Sequence, residues 1–302
     1  MWGLMRRGRT AGGLVGIGLH ADGLSLVHAV YRHERRVSIL AAEYRSWDGA
    51  TPARALARLA DDYNLKHLRC TTYLQNGEYR LIQTEAPDVK PDELKAALRW
   101  RIKDLIDFHV NDATLDVFDV PGGHPGRPRP VYAVVARNDV IKARADLMQD
   151  AGIALDIIDI PDMAQRNVAR LLPEDAGGVA LVSFAQDAGL ITITRGGVLY
   201  LSRALAIGAS GLDKTVSRDN LLLELQRSLD FFESSFRQAP VTDVVVAGVH
   251  PGDLVAYLQA NLNQRIRALA YGEIVHGSDG IEVPDVCFMT LGAALRAEKM
   301  AL

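Results

Sequence analysis

Residues 15–30 read VGIGLHADGLSLVHAV, two alternating apolar runs split by an Asp22-Gly23 turn signal, which predicts a β-hairpin. A third strand is predicted over 35–43, after the polar turn at 32–34. Thr51 and Pro52 supply an N-cap and a first-turn proline for a helix to about Tyr63, and a strand follows over 68–75. Pro91, with Asp92 and Glu93 in its first turn, is predicted to open a helix whose Leu94, Leu98, Ile102, Leu105 and Ile106 share one face. A strand over 115–120 runs into the Pro- and Gly-rich stretch 121–130, which reads as a long exposed hairpin connection. Strand 131–136, helix 138–151 closed by Gly152, strand 153–159 and helix 162–172 then alternate, a mixed α/β organisation. Gly177-Gly178 is the predicted boundary between halves.

An internal repeat sets the architecture. Residues 14–30 align with 181–197, Leu14 on Leu181 and Gly23-Leu24 on Gly189-Leu190 with one residue of slack, and each copy is followed by a further strand, 37–43 and 198–205. Two related halves that each open with a three-stranded meander are expected. Gly16, Gly18 and Ala21 also satisfy the G-x-G-x-x-G/A pattern of a dinucleotide-binding turn, but that pattern needs a helix after it, and a strand is predicted there instead.

The chain has 302 residues, a formal net charge of -3 and two cysteines, Cys70 and Cys287, far apart and in no CxxC. These point to a reducing compartment and argue against nucleic acid as a partner. With no run approaching the roughly 18 apolar residues of a membrane span, a cytoplasmic protein is expected. Arg6, Arg7 and Arg9 form one basic cluster, readable as a contact with an anionic membrane or as a solvated end. The eight histidines make no HExxH or Cys/His pattern, His20 and His28 read as turn and strand residues, and Gly208-Ala-Ser210-Gly211 misses the spacing of a nucleophile elbow. Leu222, Leu225, Leu229, Phe232 and Phe236 repeat at steps of three and four, which fits either a partner helix or, more simply, a core helix. Trp100 lies off the main stripe of its helix and is a candidate for a partner-binding surface, or else a buried aromatic.

Tandem halves of this kind resemble the actin-like ATPase fold shared by actin, heat-shock chaperones and sugar kinases. Four passages narrow the resemblance to the PilM family of type IV pilus assembly proteins: Pro91-Asp-Glu-Leu-Lys-Ala-Ala-Leu-Arg-Trp100, Ala151-Gly-Ile-Ala-Leu-Asp-Ile-Ile-Asp159, Glu224-Leu-Gln-Arg-Ser-Leu-Asp-Phe-Phe-Glu-Ser-Ser235 and Leu291-Gly-Ala-Ala-Leu-Arg296. In the third passage and in overall shortness, the branch that serves the mannose-sensitive haemagglutinin (MSHA) pilus is the most similar. The resemblance covers nearly the whole chain. It implies an α/β actin-like fold of duplicated ribonuclease-H-like halves with an inserted α+β subdomain. The first half would span 1–176, with one subdomain about 11–76 plus 153–176 and the insert about 77–152. The second would span 177–302, its C-terminal helix, 287–302, packing back on the first half.

In that fold a carboxylate in each turn positions Mg²⁺ and the attacking water, and turn N–H groups hold the phosphates. Here Gly18 stands where the first Asp belongs and Ser183 where the second does, with His20 and Ala185 in the glycine positions. Asp22 and Asp187 are the residual candidates for replacement ligands, and Gly208 and Gly248 for the remaining loops. The segment 208–220 is shorter than in ATP-binding relatives, with Lys214 lacking a surrounding helix of the expected length, and the adenosine-side turn is thinned to 247–252. The expectation is a non-catalytic cytoplasmic scaffold at the inner face of the inner membrane, without catalytic residues, metal or cofactor. Its partner would be the cytoplasmic N-terminal tail of an inner-membrane PilN-like protein, held between residues 11–76 and 77–152, with membrane association through that partner. Two rivals remain. One is an active ATPase, with ATP and Mg²⁺ gating the partner. The other is a type II secretion platform component, disfavoured by the chain ending without a span.

Overall fold

The computed structural model describes residues 13–33, 36–122, 128–275 and 280–297; Arg6, Arg7 and Arg9 lie outside them. The chain opens with β1 (Leu14–Leu19), β2 (Gly23–His33) and β3 (Arg36–Ser46), then α1 (Pro52–Asp62) and β4 (Arg69–Tyr73). Next come β5 (Tyr79–Glu85), α2 (Leu94–Ile102), β6 (Ala113–Asp119), β7 (Pro130–Arg137), α3 (Asn138–Asp150), β8 (Leu155–Asp159) and α4 (Pro161–Ala169). A second meander follows as β9 (Val179–Phe184), β10 (Gly189–Arg195) and β11 (Val198–Leu205). The chain continues through α5 (Thr215–Phe236), β12 (Asp243–Gly248), α6 (Leu254–Asn261), β13 (Arg265–Ala268) and α7 (Phe288–Ala294).

Two five-stranded sheets repeat one topology. Their orders are β3-β2-β1-β4-β8 and β11-β10-β9-β12-β13, each with three antiparallel strands followed by two parallel additions. A three-stranded sheet, β5-β7-β6, carries α2 on one face and supplies a core of its own around Leu98, Ile102, Val131 and Val135. The predicted duplication is therefore present, but its alignment is corrected. Leu19 pairs with Leu24 and His20 N–H donates to Gly23 O; Phe184 pairs with Gly189 and Ala185 N–H donates to Ala188 O. These turns match Gly18 to Ser183, His20 to Ala185 and Asp22 to Asp187, so Leu14 corresponds to Val179, not Leu181. Along β1 the slip is two residues, which keeps every side chain on its own face, so apolar alternation there cannot detect it; on β2 it is one, Gly23-Leu24 matching Ala188-Gly189.

Other expectations shift for local reasons. The Pro91-Asp92-Glu93 segment forms a turn, with Leu94 N–H bonded to Pro91 O, so α2 starts at Leu94; it ends at Ile102, and Leu105, in the 3-10 turn that follows, is exposed rather than on the buried face. On α5 Leu221, not Leu222, joins the buried stripe of Leu225, Leu229, Phe232 and Phe236, with Leu222 only partly buried, and the stripe packs into the core of the second sheet. The helix immediately follows Lys214. The C-terminal helix stops at Ala294, and Arg296 leaves it to pair with Asp159 at 2.9 Å. Strand β5 has no counterpart among the predicted elements: Asn76-Gly77 before it is a turn signal, but Tyr79–Glu85 alternates weakly.

Between the sheets lie α4 and α7. One core cluster joins Val27, Ile39 and Val179 to Val245, Phe288 and Leu291, so strands of both sheets share an apolar layer with these helices. Strand β1 alternates accordingly. Val15 and Ile17 face α1 and Met148 of α3, whereas Gly16 and Gly18 meet α7. The two helices cross with Gly292 directly on the Ala164 backbone, where a Cβ would overlap the Ala164 carbonyl. Gly292→Ala should lower stability in urea unfolding by about 2 kcal/mol, the order expected of overpacking. Gly252→Ala, at a position with open space around it, should change it by less than about 0.5 kcal/mol.

Candidate functional site

The first turn is built on a chain of buried hydroxyls. A Cβ at Gly18 would stand 2.5 Å from Ser25 Oγ, 2.5 Å from Thr290 Oγ1 and 2.6 Å from Tyr73 Oη. Ser25 and Thr290 share a hydrogen bond of 2.5 Å, Tyr73 Oη approaches Thr290 at 3.4 Å, and Ser25 meets His20 Nε2 at 2.7 Å. Ser25, Thr290 and Tyr73 are buried, and burial pushes the Tyr73 phenol up to about 12. These groups come from β2, β4 and α7, so a helix remote in sequence closes the space beside Gly18. Gly16 has the same neighbour, its missing Cβ admitting the Thr290 carbonyl and the Ala294 backbone. The two glycines of the dinucleotide-like pattern thus admit a helix.

Ser183, the matching position of the second turn, is also buried and donates to Gln165 Oε1. Gln165 Nε2 in turn donates to Leu181 O at 2.6 Å and Thr192 Oγ1 at 2.9 Å, so the amide of α4 is tied into the second sheet. Neither position carries a carboxylate, and each is enclosed by its own hydrogen bonds.

The remaining candidates gather at the turns. Asp22 and Asp187 are exposed at equivalent turn positions. Above Asp22, Trp47 N–H and its indole Nε1 donate to Asp22 O at 3.0 Å and Ala21 O at 2.9 Å. Burial, and then the Asp22 carboxylate, push the Tyr44 phenol to about 12. Gly208 lies on the second turn: Ala209 N–H donates to Ala185 O at 2.9 Å and Ser210 Oγ to Gln186 O at 2.8 Å. Gly248, at φ 72°, sits against Phe184, and Val249 N–H donates to Phe184 O at 3.2 Å. Ala185, Gly208 and Gly248 are therefore brought together, while Lys214 precedes α5. Among the described residues no group of three or more His, Cys, Asp or Glu could hold a metal ion, and no helix is long and apolar enough to cross a membrane. Both cysteines are buried. Thr290, Tyr73 and Gln165 escaped the sequence reading; the only local signal was the glycine at every second position of β1, which marks close backbone approach in a strand.

A groove of about 770 Å³ lies between β5 and the C-terminal end of α5, lined by Gln83, Thr84, Glu85, Phe231 and Phe236. Trp100 on α2 is 67% exposed, which settles its alternative in favour of a surface residue.

Gly18→Asp should cost about 3–5 kcal/mol in urea unfolding, because it forces an unpaired charge into a filled site. Burial holds the His20 imidazole below its ordinary 6.5, opposed by Asp22. As pH falls, the unfolded chain takes up this proton first, so the contribution is complete above 6.5 and declines below it until the native imidazole titrates. His20→Asn should therefore lose less stability than wild type between about pH 7.5 and 5.5, read from urea midpoints.

No family model and no curated protein sequence matches the chain. Solved structures do. A chain of a PilM-PilN type IV pilus biogenesis complex is similar with a TM-score of 0.73 at 19% identity, over 94% of this chain and 98% of that one. The cytoplasmic domain of EpsL, an inner-membrane component of the type II secretion system of Vibrio cholerae, is similar at 0.53 and 14% identity, over 95% and 96%. A Bacteroides thetaiotaomicron protein with an actin-like ATPase fold and unknown function follows at 0.51 and 10%, over 91% and 96%. The duplicated sheets, the crossed helices between them and these likenesses together establish that this chain has the actin-like ATPase fold.

Proposed function

We propose that this protein is a non-catalytic cytoplasmic scaffold of a type IV pilus assembly platform, an MshI-like component of the MSHA system. It binds the cytoplasmic N-terminal tail of an inner-membrane PilN-like protein and so works at the inner face of the inner membrane. The observation that carries this reading is the end-to-end likeness to a chain of the PilM-PilN complex, stronger than the likeness to EpsL. The same comparison makes a type II secretion role the second choice.

Loss of the reaction is supported by the two turns. Mg²⁺ demands near-octahedral oxygen coordination, usually anchored by one or two carboxylates. Gly18 and Ser183 offer none, and the space beside Gly18 holds Thr290 and Tyr73 hydroxyls. Asp22 and Asp187 are exposed turn residues, the only carboxylates at these two turns. The nucleotide site is thus degenerate in this reading, and the interaction surface is what remains in use.

An extended tail would be held by main-chain hydrogen bonds and a few apolar pockets, becoming ordered as it binds. The expected place is the junction between residues 11–76 and 77–152. Strands β8 and β5 are edge strands of the two sheets that meet there, and among the described residues each has one side without a neighbouring strand, with Glu85 O of β5 bonded by Arg101. Exposed Trp100 offers an aromatic contact on the insert.

Calorimetric titration with ATP, with and without Mg²⁺, beside a synthetic tail peptide tests this reading. The expected result is peptide binding that is indifferent to ATP, with no saturable ATP heat. Micromolar Mg²⁺-dependent ATP binding, about -8 kcal/mol, would overturn the degenerate site and bring Asp22 and Asp187 forward as ligands. A peptide without affinity would overturn the scaffold reading.

A further inference from the structure

At the N-terminal end of α4, three bodies meet on one carboxylate. Asp162 is 3% exposed. Its Oδ2 accepts a hydrogen bond from Tyr79 Oη at 2.5 Å, and its Oδ1 accepts from Ser202 Oγ. Tyr79 begins β5 of the inserted three-stranded sheet, and Ser202 lies on β11, the edge of the second five-stranded sheet. A second tie joins the same bodies, with Tyr132 Oη of β7 donating to Tyr200 O of β11 at 3.2 Å. Around them Val120 and Tyr132 pack with Leu201, Phe232 and Phe236 in one core. Burial raises the Asp162 carboxyl above the usual range, opposed by the Ser202 and Tyr79 hydroxyls and its own helix N-terminus. Burial and the neighbouring Asp162 and Asp159 push the Tyr79 phenol well above 10.

A buried carboxylate met by neutral hydroxyls is a poor source of stability, since the desolvation cost offsets most of the attraction. Its value lies elsewhere: each bond is directional, and a lost partner leaves a buried polar group unsatisfied. Apolar contact between the insert and the second sheet would tolerate sliding, whereas two hydroxyls on one carboxylate accept a single arrangement. The geometry points to Asp162 as a positioning residue that specifies one placement of the inserted subdomain relative to the second half. The insert thereby bridges both halves, and any ligand held between these bodies meets walls at a fixed spacing. This inference stands on the contacts alone, apart from the pilus reading.

The test uses the full chain with spin labels on cysteines introduced at Asp92, before α2, and Asp230, on α5, both exposed; the native cysteines are buried. Wild type should give one narrow distance distribution. Tyr79→Phe/Asp162→Leu/Ser202→Ala removes the carboxylate and both hydroxyl donors together and unpairs only the residue 162 N–H at the helix N-terminus, so it should keep the fold. It should broaden the distance distribution and speed amide exchange in β5 and β11 by about tenfold, with β1 and β4 unchanged. Wild-type width and exchange in this folded variant would overturn the inference. Should the triple variant fail to fold, the single variants decide. Tyr79→Phe should speed exchange in β5 alone and Ser202→Ala in β11 alone, and no change in either would equally overturn it.

Discussion

The crossing of α4 and α7 is the contact on which the rest of the molecule depends. Gly292 rests on the Ala164 backbone, so the helix axes come closer than side chains would otherwise allow. That closeness lets both helices fit in one layer between two five-stranded sheets and lets strands of both sheets share an apolar core. It also sets where α7 lies over β1, and therefore which β1 residues must lack a side chain. Asn167 Nδ2, donating to Gly292 O at 3.0 Å, ties the same crossing by a polar contact.

From this crossing the character of the first turn follows. Thr290 is carried on α7 to the back of β1, where it completes a run of hydroxyls with Ser25 and Tyr73 beside Gly18. Hydroxyls can each donate and accept, so such a run satisfies itself in a dry site without charge. A carboxylate in the same place would need cations or N–H donors, and the imidazole at the turn, His20, is already bonded to Ser25. The second turn is enclosed differently, by a glutamine amide that bonds both Ser183 and the strands beneath it. Two unlike local solutions at equivalent positions fit a duplicated fold whose halves have diverged in sequence. Ties such as Arg296 to Asp159 and Tyr79 and Ser202 to Asp162 all converge on the short stretch from β8 into α4. That stretch is a junction for the C-terminal segment, the insert and the second half alike.

Local elements were legible because their signals are local. The Thr51 side chain caps α1 and Pro52 starts it, and Gly152 at φ 72° ends α3, as their chemistry requires. The repeat was legible as a topology, since two meanders with similar alternation make the same sheet order. It was not legible as a register, because a two-residue slip along β1 preserves that alternation and one residue of slack at the turn absorbs the rest; only the paired turns at His20–Gly23 and Ala185–Ala188 fix it. Strand β5 went unseen because a weakly alternating segment becomes a strand only when β7 offers it a ladder.

The sequence by itself determined the mixed α/β organisation, the start of α1 and end of α3, and the absence of acidic residues at positions 18 and 183. It did so because propensity, turn chemistry and residue identity are properties of a few neighbouring residues. Tertiary structure alone decided what occupies those two positions. Thr290 reaches Ser25 from 265 residues away, and Asp162 joins residues 83 positions before it and 40 after. Contacts of that range depend on how closely two helices can cross, a consequence of packing that no local pattern encodes.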